Sequence, residues 1–231
     1  MLYEIFDHMH LCTDEAVREM LPLVSEQRRQ QALRYSHTFG RFCCLKSYLM
    51  LLELLSAVYP ELDTSKPEFG YTAQGKPFLL ARPDIHFSIS HTKNAILVAI
   101  SDAPIGVDIE AFRSPSAALI ARTMNATEQA AIAASAAATL EPPGTSGTAR
   151  SALGTREAQM EQPQASGTRE ALFSAIWTRK EAVLKLRGTG IEGDLKHVLS
   201  GSEAIFTRIF PRKSYAFSIA QQTISPFEIL H

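Results

Sequence analysis

The sequence predicts a mixed α+β protein, with helical and extended segments in both halves of the chain. Three observations carry this. The stretch from Phe39 to Val58 is apolar nearly all round and stops at Pro60, as expected of a heavily buried helix. From Ile85 to Glu110 the pattern switches to short alternating or continuous apolar runs, the mark of strands. After a second helical stretch near 170–187, alternation returns in Ala204 to Ile209 and Tyr215 to Ala220.

Taken in order, Leu2 to Phe6 is a candidate short strand, and a polar helix begins at Ser25 with Glu26, Gln27, Arg28 and Arg29. After the long apolar helix, Phe69 to Thr72 and Pro77 to Leu80 flank the turn Ala73-Gln74-Gly75-Lys76. Ile85 to Ser90 reads as a half-buried strand, His91 to Asn94 as a turn, and Ala95 to Ile100 as a fully apolar strand. In the next strand Ile105, Val107 and Ile109 point one way and Gly106, Asp108 and Glu110 the other. Asn125-Ala126-Thr127-Glu128 has the form of a capping box for an alanine-rich helix near 126–139. Residues 141–169 are rich in Gly, Pro, Ser, Thr and Ala, and Gly-Thr-Arg-Glu-Ala occurs twice, at 154–158 and 167–171. That composition predicts a flexible insertion without chemistry of its own. The helix from about Glu170 to Arg187 is expected to close on Gly188.

The 231 residues, 45% apolar and 20% charged, suffice for one ordinary domain or two small lobes. They exclude disordered, collagen-like and disulfide-held classes. A formal net charge of −1 supplies no global attraction to nucleic acid or an anionic membrane. Cys43 and Cys44 are adjacent and Cys12 is distant, so neither a bridge nor metal-ligand spacing is indicated. The N-terminus lacks the pattern of a signal peptide, and Leu45 to Val58 is too short to span a bilayer. The expected location is cytoplasmic.

Asp108 and Glu110 are the first groups with chemical promise. At i and i+2 on a strand they share a face, roughly 7 Å apart at the backbone, and Gly106 leaves room beside them. Such a pair suits a hard cation such as Mg²⁺, or is merely a solvated strand face. Glu181 and Lys185 have the i, i+4 spacing of an ordinary helix ion pair. Alternatively, Glu181 is a third ligand or proton acceptor and Lys185 a cation for phosphate oxygens. Trp177 would anchor that helix in the core. Ser90-His91 and Gly75-Lys76-Pro77 lie where side chains can reach a ligand, though each also suits a plain turn. Arg28, Arg29, Arg34 and Arg41 make the N-terminal helical region basic. Walker, dinucleotide, zinc and nucleophile-elbow motifs are absent.

Their order is more specific than any one of them. Gly75-Lys76-Pro77, then Phe87-Ser88-Ile89-Ser90-His91, then Ile105-Gly106-Val107-Asp108-Ile109-Glu110, then Trp177 through Lys185 closely resembles the surfactin-type 4′-phosphopantetheinyl transferases. The resemblance covers residues 25–193 apart from the insertion. It implies an α+β fold of two similar lobes related by a pseudo-two-fold, here 1–103 and 104–231, with coenzyme A between them. It implies Mg²⁺-dependent transfer of 4′-phosphopantetheine from coenzyme A to a serine of an apo acyl or peptidyl carrier protein, releasing adenosine 3′,5′-bisphosphate. By the same resemblance Asp108, Glu110 and Glu181 match the metal-binding acids, and Lys185 matches the lysine near the transferring phosphate. Glu181 is the candidate base, directly or through a metal-bound water. Lys76, Ser90 and His91 match coenzyme A contacts, and Arg41 matches a basic residue near the 3′-phosphate. Gln27 and Gln30 depart from lysines that occur in the family, leaving Arg28 or Arg29 as substitutes. The segment from Phe112 and Arg113 to Met124 is the expected carrier-docking region, and the protein is expected to be a monomer. The alternative is a catalytically silent module of the same fold that binds coenzyme A or carrier protein. A hydrolase that removes the arm is a more distant one, since no separate water-activating dyad is present.

Overall fold

The computed structural model describes residues 1–65, 67–138, 168–190 and 194–222. Strand β1 (Leu2–Phe6) is followed by helices α1 (Asp14–Met20), α2 (Glu26–Leu33) and α3 (Thr38–Val58). Next come the hairpin β2 (Phe69–Tyr71) and β3 (Pro77–Leu79), and the strands β4 (His86–Thr92), β5 (Ala95–Ser101) and β6 (Ile105–Ala111). Helices α4 (Ala117–Thr123), α5 (Ala126–Ala138) and α6 (Arg169–Arg187) precede β7 (Ala204–Phe210) and β8 (Tyr215–Gln221).

One antiparallel sheet has the order β1-β5-β4 and another the order β6-β8-β7. Each is built from a strand, a long helix and a hairpin whose last strand is inserted in the middle. The hydrophobic pattern explains how these units stack. β5 is apolar from Ala95 to Ile100 and buried throughout because both its faces are covered. Ile96, Val98 and Ile100 join Leu45, Met50, Leu51 and Leu55 of α3 in one core. Ala95, Leu97 and Ala99 meet Val107, Ile109, Phe217 and Ile219 across the two sheets. Behind the second sheet Ala182, Val183 and Leu186 of α6 pack near Ala220. The layers are therefore helix, sheet, sheet, helix.

The two sheets meet at β4 and β6, which are edge strands of different sheets. Alternate hydroxyls of β4 join them in place of a backbone ladder. Val107 N–H donates to Ser88 Oγ at 3.0 Å, Ile109 N–H to Ser90 Oγ at 3.3 Å, and Ala111 N–H to Thr92 Oγ1 at 3.1 Å. Buried edge amides need such acceptors, and the period of two along β4 delivers one every second residue.

Caps set the helix limits. The Ser25, Thr168 and His37 side chains accept from amides three residues on, opening α2, α6 and α3. The Asn125–Glu128 box forms reciprocally, at 2.9 and 2.8 Å. Gly188 takes φ +69° and closes α6, as only glycine does readily. Cys43 and Cys44 are buried, and burial pushes the Cys43 thiol up to about 12.

Three readings need correction. His91 and Thr92 continue β4, pairing with Ile96 and Ala95, so the turn is Lys93-Asn94 alone; the Thr92 hydroxyl is held by the Ala111 amide. Trp177 reaches the core only at its edge, half-buried and stacked on Phe173, while Thr178, Lys180, Ala182, Val183 and Leu184 are the buried members of that motif. The second Gly-Thr-Arg-Glu-Ala copy supplies Thr168 as the cap of α6, so the helix starts at Arg169, inside the stretch assigned to the insertion. Residues 141–167 and Pro226 lie outside the described residues. The short helices α1 and α4 have no forerunner in the sequence pattern.

The first strand is tied to the last hairpin through Asp7, which accepts from Lys213 Nζ and, at 2.9 Å, from Tyr215 Oη. Burial opposes ionisation, yet the bonds from Lys213 and Tyr215 hold the Asp7 carboxyl below its ordinary range. A depressed folded-state pKa stabilises above the unfolded value and loses that benefit as pH falls. Asp7→Asn is expected to lower stability by about 1 kcal/mol at pH 7. Denaturant midpoints of the two proteins should converge at low pH, as Asp7 becomes protonated; a gap that persists there would assign the effect to packing.

Candidate functional site

Strand β6 and helix α6 bring the acids together because α6 lies directly on Gly106. A Cβ at residue 106 would stand 2.1 Å from Ala182 O and 2.2 Å from Leu186 N. The room expected beside the carboxylates is thus filled by the helix backbone. On the same face of β6 come Asp108 and Glu110, opposite Glu181 and Lys185, which are one turn apart on α6.

Lys185 Nζ donates to Asp108 Oδ1 at 2.6 Å and to Ser90 Oγ at 2.9 Å. Ser90 Oγ in turn donates to Asp108 Oδ1 at 2.8 Å. Burial raises the Asp108 pKa, with Lys185 and Ser90 opposing it. Burial raises Glu110 as well, Arg113 opposing and Asp108 reinforcing. Glu181 is raised by burial and then by the Asp108 charge. Its Oε1 is buried with no hydrogen-bond partner among the described residues. Buried orphan oxygens are rare and call for an explanation. Among the described residues no three carboxylate, imidazole or thiolate groups are drawn into a metal cage; the ammonium of Lys185 is the cation on Asp108.

A cleft of about 380 Å³ opens beside these groups, bordered by Lys76, Pro77, Phe87, Ile89, Glu181 and Lys185. Lys76 Nζ donates to Ile105 O at 3.1 Å and to Leu186 O at 3.0 Å. It thereby ties the β2–β3 turn to the start of β6 and the end of α6, with one donor left for the cleft. Burial lowers its pKa. His91 is exposed on β4, edge-on to Phe39 at 6.0 Å; desolvation and the Lys185 charge hold its imidazole below the ordinary value. Arg41 lies in the first turn of α3, its Nε on Tyr35 O at 2.9 Å. Arg28 lies 4.4 Å over the Tyr48 ring, and Arg29 bonds Leu21 O.

Three features escaped the sequence reading. The Ser88, Ser90 and Thr92 ladder was visible as hydroxyls at a period of two. Lys180 is fully buried and donates to Thr123 O, Leu195 O and Glu128 Oε2 at 2.7, 2.9 and 2.6 Å. All three of its protons are satisfied, which pins α6 to α5. Arg113, expected only as part of the docking segment, forms an ion pair with Glu110 Oε1 at 3.3 Å and lies over Trp177 at 5.6 Å; nothing in its spacing marks that pairing.

A model of the 4′-phosphopantetheinyl transferase superfamily matches residues 104–218, which contain β6, α6 and all three acids. The segment over residues 104–218 belongs to that superfamily. A 4′-phosphopantetheinyl transferase of Bacillus subtilis is 30% identical over 127 residues, which is 55% of this chain and 56% of that protein. Its likeness is to the surfactin type: Sfp of Bacillus subtilis strain 168 is also 30% identical over 127 residues. The psf-1 transferase of Bacillus pumilus is 25% identical over 175 residues, 76% of this chain and 62% of that one. The chain spans between 56% and 62% of the length of these relatives.

Proposed function

We propose that this protein transfers 4′-phosphopantetheine from coenzyme A to a serine hydroxyl of an apo acyl or peptidyl carrier protein, releasing adenosine 3′,5′-bisphosphate. The observation that carries this reading is that Glu181 and Lys185 line the cleft, with Lys185 bonded to Asp108 and Glu181 within electrostatic reach of Asp108 and Glu110. The names of the relatives support it. In the reaction the serine oxygen bonds to the β-phosphorus, the bond from that phosphorus to the bridging oxygen breaks, and the serine proton leaves to a base. Glu181 takes that role in this reading, because its Oε1 is buried and unpartnered and an un-ionised hydroxyl is a poor nucleophile. Lys185 compensates the charge that develops on the departing bridging oxygen. Lys76, His91 and Arg41 contribute positive charge or donors toward coenzyme phosphates.

By chemistry Asp108, Glu110 and Glu181 are the residues that would hold Mg²⁺: hard-oxygen donors that repel one another, one with an orphaned oxygen. They would have to draw closer than they stand here, where no three acids among the described residues form a metal cage. Bound there, the cation would neutralise phosphate charge as a Lewis acid. The two strand–helix–hairpin units, 1–103 and 104–231, are read as the pseudo-two-fold lobes, with coenzyme A between them. The exposed Arg113 and the segment through Met124 are proposed to dock the acidic carrier, whose charge favours a basic partner. Free buried thiols suit a reducing cytoplasmic setting, and among the described residues no helix is long and apolar enough to cross a membrane. A monomer is the state assumed.

Incubation with coenzyme A, Mg²⁺ and a panel of apo carriers, followed by intact mass measurement, tests the proposal. One added phosphopantetheine, lost with EDTA, is the expected result. Coenzyme binding without any gain of mass would instead favour the silent module.

A further inference from the structure

Ser90 is buried at the joint between the two sheets, and its hydroxyl makes three hydrogen bonds. It donates to Asp108 Oδ1 at 2.8 Å and accepts from Ile109 N–H at 3.3 Å and Lys185 Nζ at 2.9 Å. A serine hydroxyl has one proton and two lone pairs, so nothing is left over. A coenzyme phosphate oxygen is an acceptor, and the only proton it can take from Ser90 is the one already given to Asp108.

We propose that Ser90 is a positioning residue that orients the Asp108 carboxylate and the Lys185 ammonium, and that it is not a phosphate contact. The inference rests on the reading above, in which coenzyme A and a divalent cation meet at these groups. The neighbouring hydroxyls isolate its role. Ser88 and Thr92 accept amides of β6 just as Ser90 does, so the ladder accounts for an acceptor at position 90. It does not account for the bonds to Asp108 and Lys185. Without that hydroxyl Asp108 keeps the long, rotatable Lys185 side chain but loses its short link to β4. Partners that orient a metal-binding carboxylate carry 10- to 100-fold of metal affinity in general.

The test compares Ser90→Ala with Thr92→Val, which removes a like ladder bond from a residue touching neither acid nor cleft. Three quantities are measured on the full chain: the coenzyme A Kd by calorimetry without metal, the Mn²⁺ affinity by electron paramagnetic resonance, and kcat and KM across Mg²⁺ concentration. In Ser90→Ala, Mn²⁺ affinity and kcat should each fall about tenfold or more, while the coenzyme Kd stays within about twofold. Thr92→Val should keep wild-type metal affinity. A tenfold weaker coenzyme Kd at unchanged Mn²⁺ affinity would make Ser90 a ligand contact and overturn the proposal. So would an equal loss of metal affinity in Thr92→Val, because the joint and not Ser90 would then be responsible. Ser90→Cys, close in size with a much weaker donor, carries the same comparison if the alanine variant does not fold. Wild-type protein that binds neither coenzyme A nor Mn²⁺ would instead remove the underlying reading, before any variant is considered.

Discussion

Gly106→Ala is expected to destabilise the protein by roughly 3 kcal/mol, at or above the upper end of ordinary overpacking. The added methyl would meet backbone atoms, Ala182 O at 2.1 Å, Leu186 N at 2.2 Å and Leu186 Cα at 2.8 Å. No side-chain rotation relieves such a clash. Helix α6 must move off β6, and it is held elsewhere: by Lys180 to α5, by Lys76 at Leu186 O, and by the Thr178–Ser218 hydroxyl bond at 2.9 Å. For a chain of this size the loss corresponds to a Tm lower by roughly 10 °C. Because Glu181 and Lys185 lie on the displaced helix, turnover should fall even at temperatures where the variant is folded. A variant with wild-type Tm and turnover would show that β6 and α6 do not approach as closely as described.

How much of this was legible in the sequence depends on the range of the interactions. Local signals were read well: the period-two strands, the Asn125–Glu128 box, Gly188 as a left-handed cap, and the division of β6 into a core face and an acid face. Each depends on neighbours within a few residues. What was missed depends on partners far along the chain. The Lys180 ammonium looks like one more surface charge until Thr123, Leu195 and Glu128 are seen around it, 57, 15 and 52 positions away. Gly106 reads as open room beside the carboxylates, since nothing in its own strand says that a helix some 75 residues later fills that space. The acids of the site were found by motif order and by resemblance. The hydrogen bonds of Asp108 to Ser90 and Lys185 required the folded arrangement.

Glu181→Gln should separate activity from stability. The substitution keeps the volume of the side chain and the packing of α6, and removes only the charge. If Glu181 accepts the serine proton, turnover should fall by about 10²- to 10⁴-fold, with coenzyme A affinity nearly unchanged. Stability should move the opposite way. Burial and then the Asp108 charge raise the Glu181 pKa above its ordinary value of 4.5. A carboxyl whose folded-state pKa is raised contributes most when protonated, and loses that contribution as pH climbs through the unfolded value toward the folded one. At neutral pH the ionised side chain is therefore a cost to the fold, which an uncharged amide does not carry. The Gln variant should melt at a temperature equal to or above wild type while its turnover collapses, the pattern of a strained group kept for its chemistry. The melting gap should narrow as pH is lowered into the range where Glu181 itself is protonated. Unchanged turnover would remove Glu181 from the reaction. A lower melting temperature at neutral pH would mean that its charge is already compensated in the folded protein.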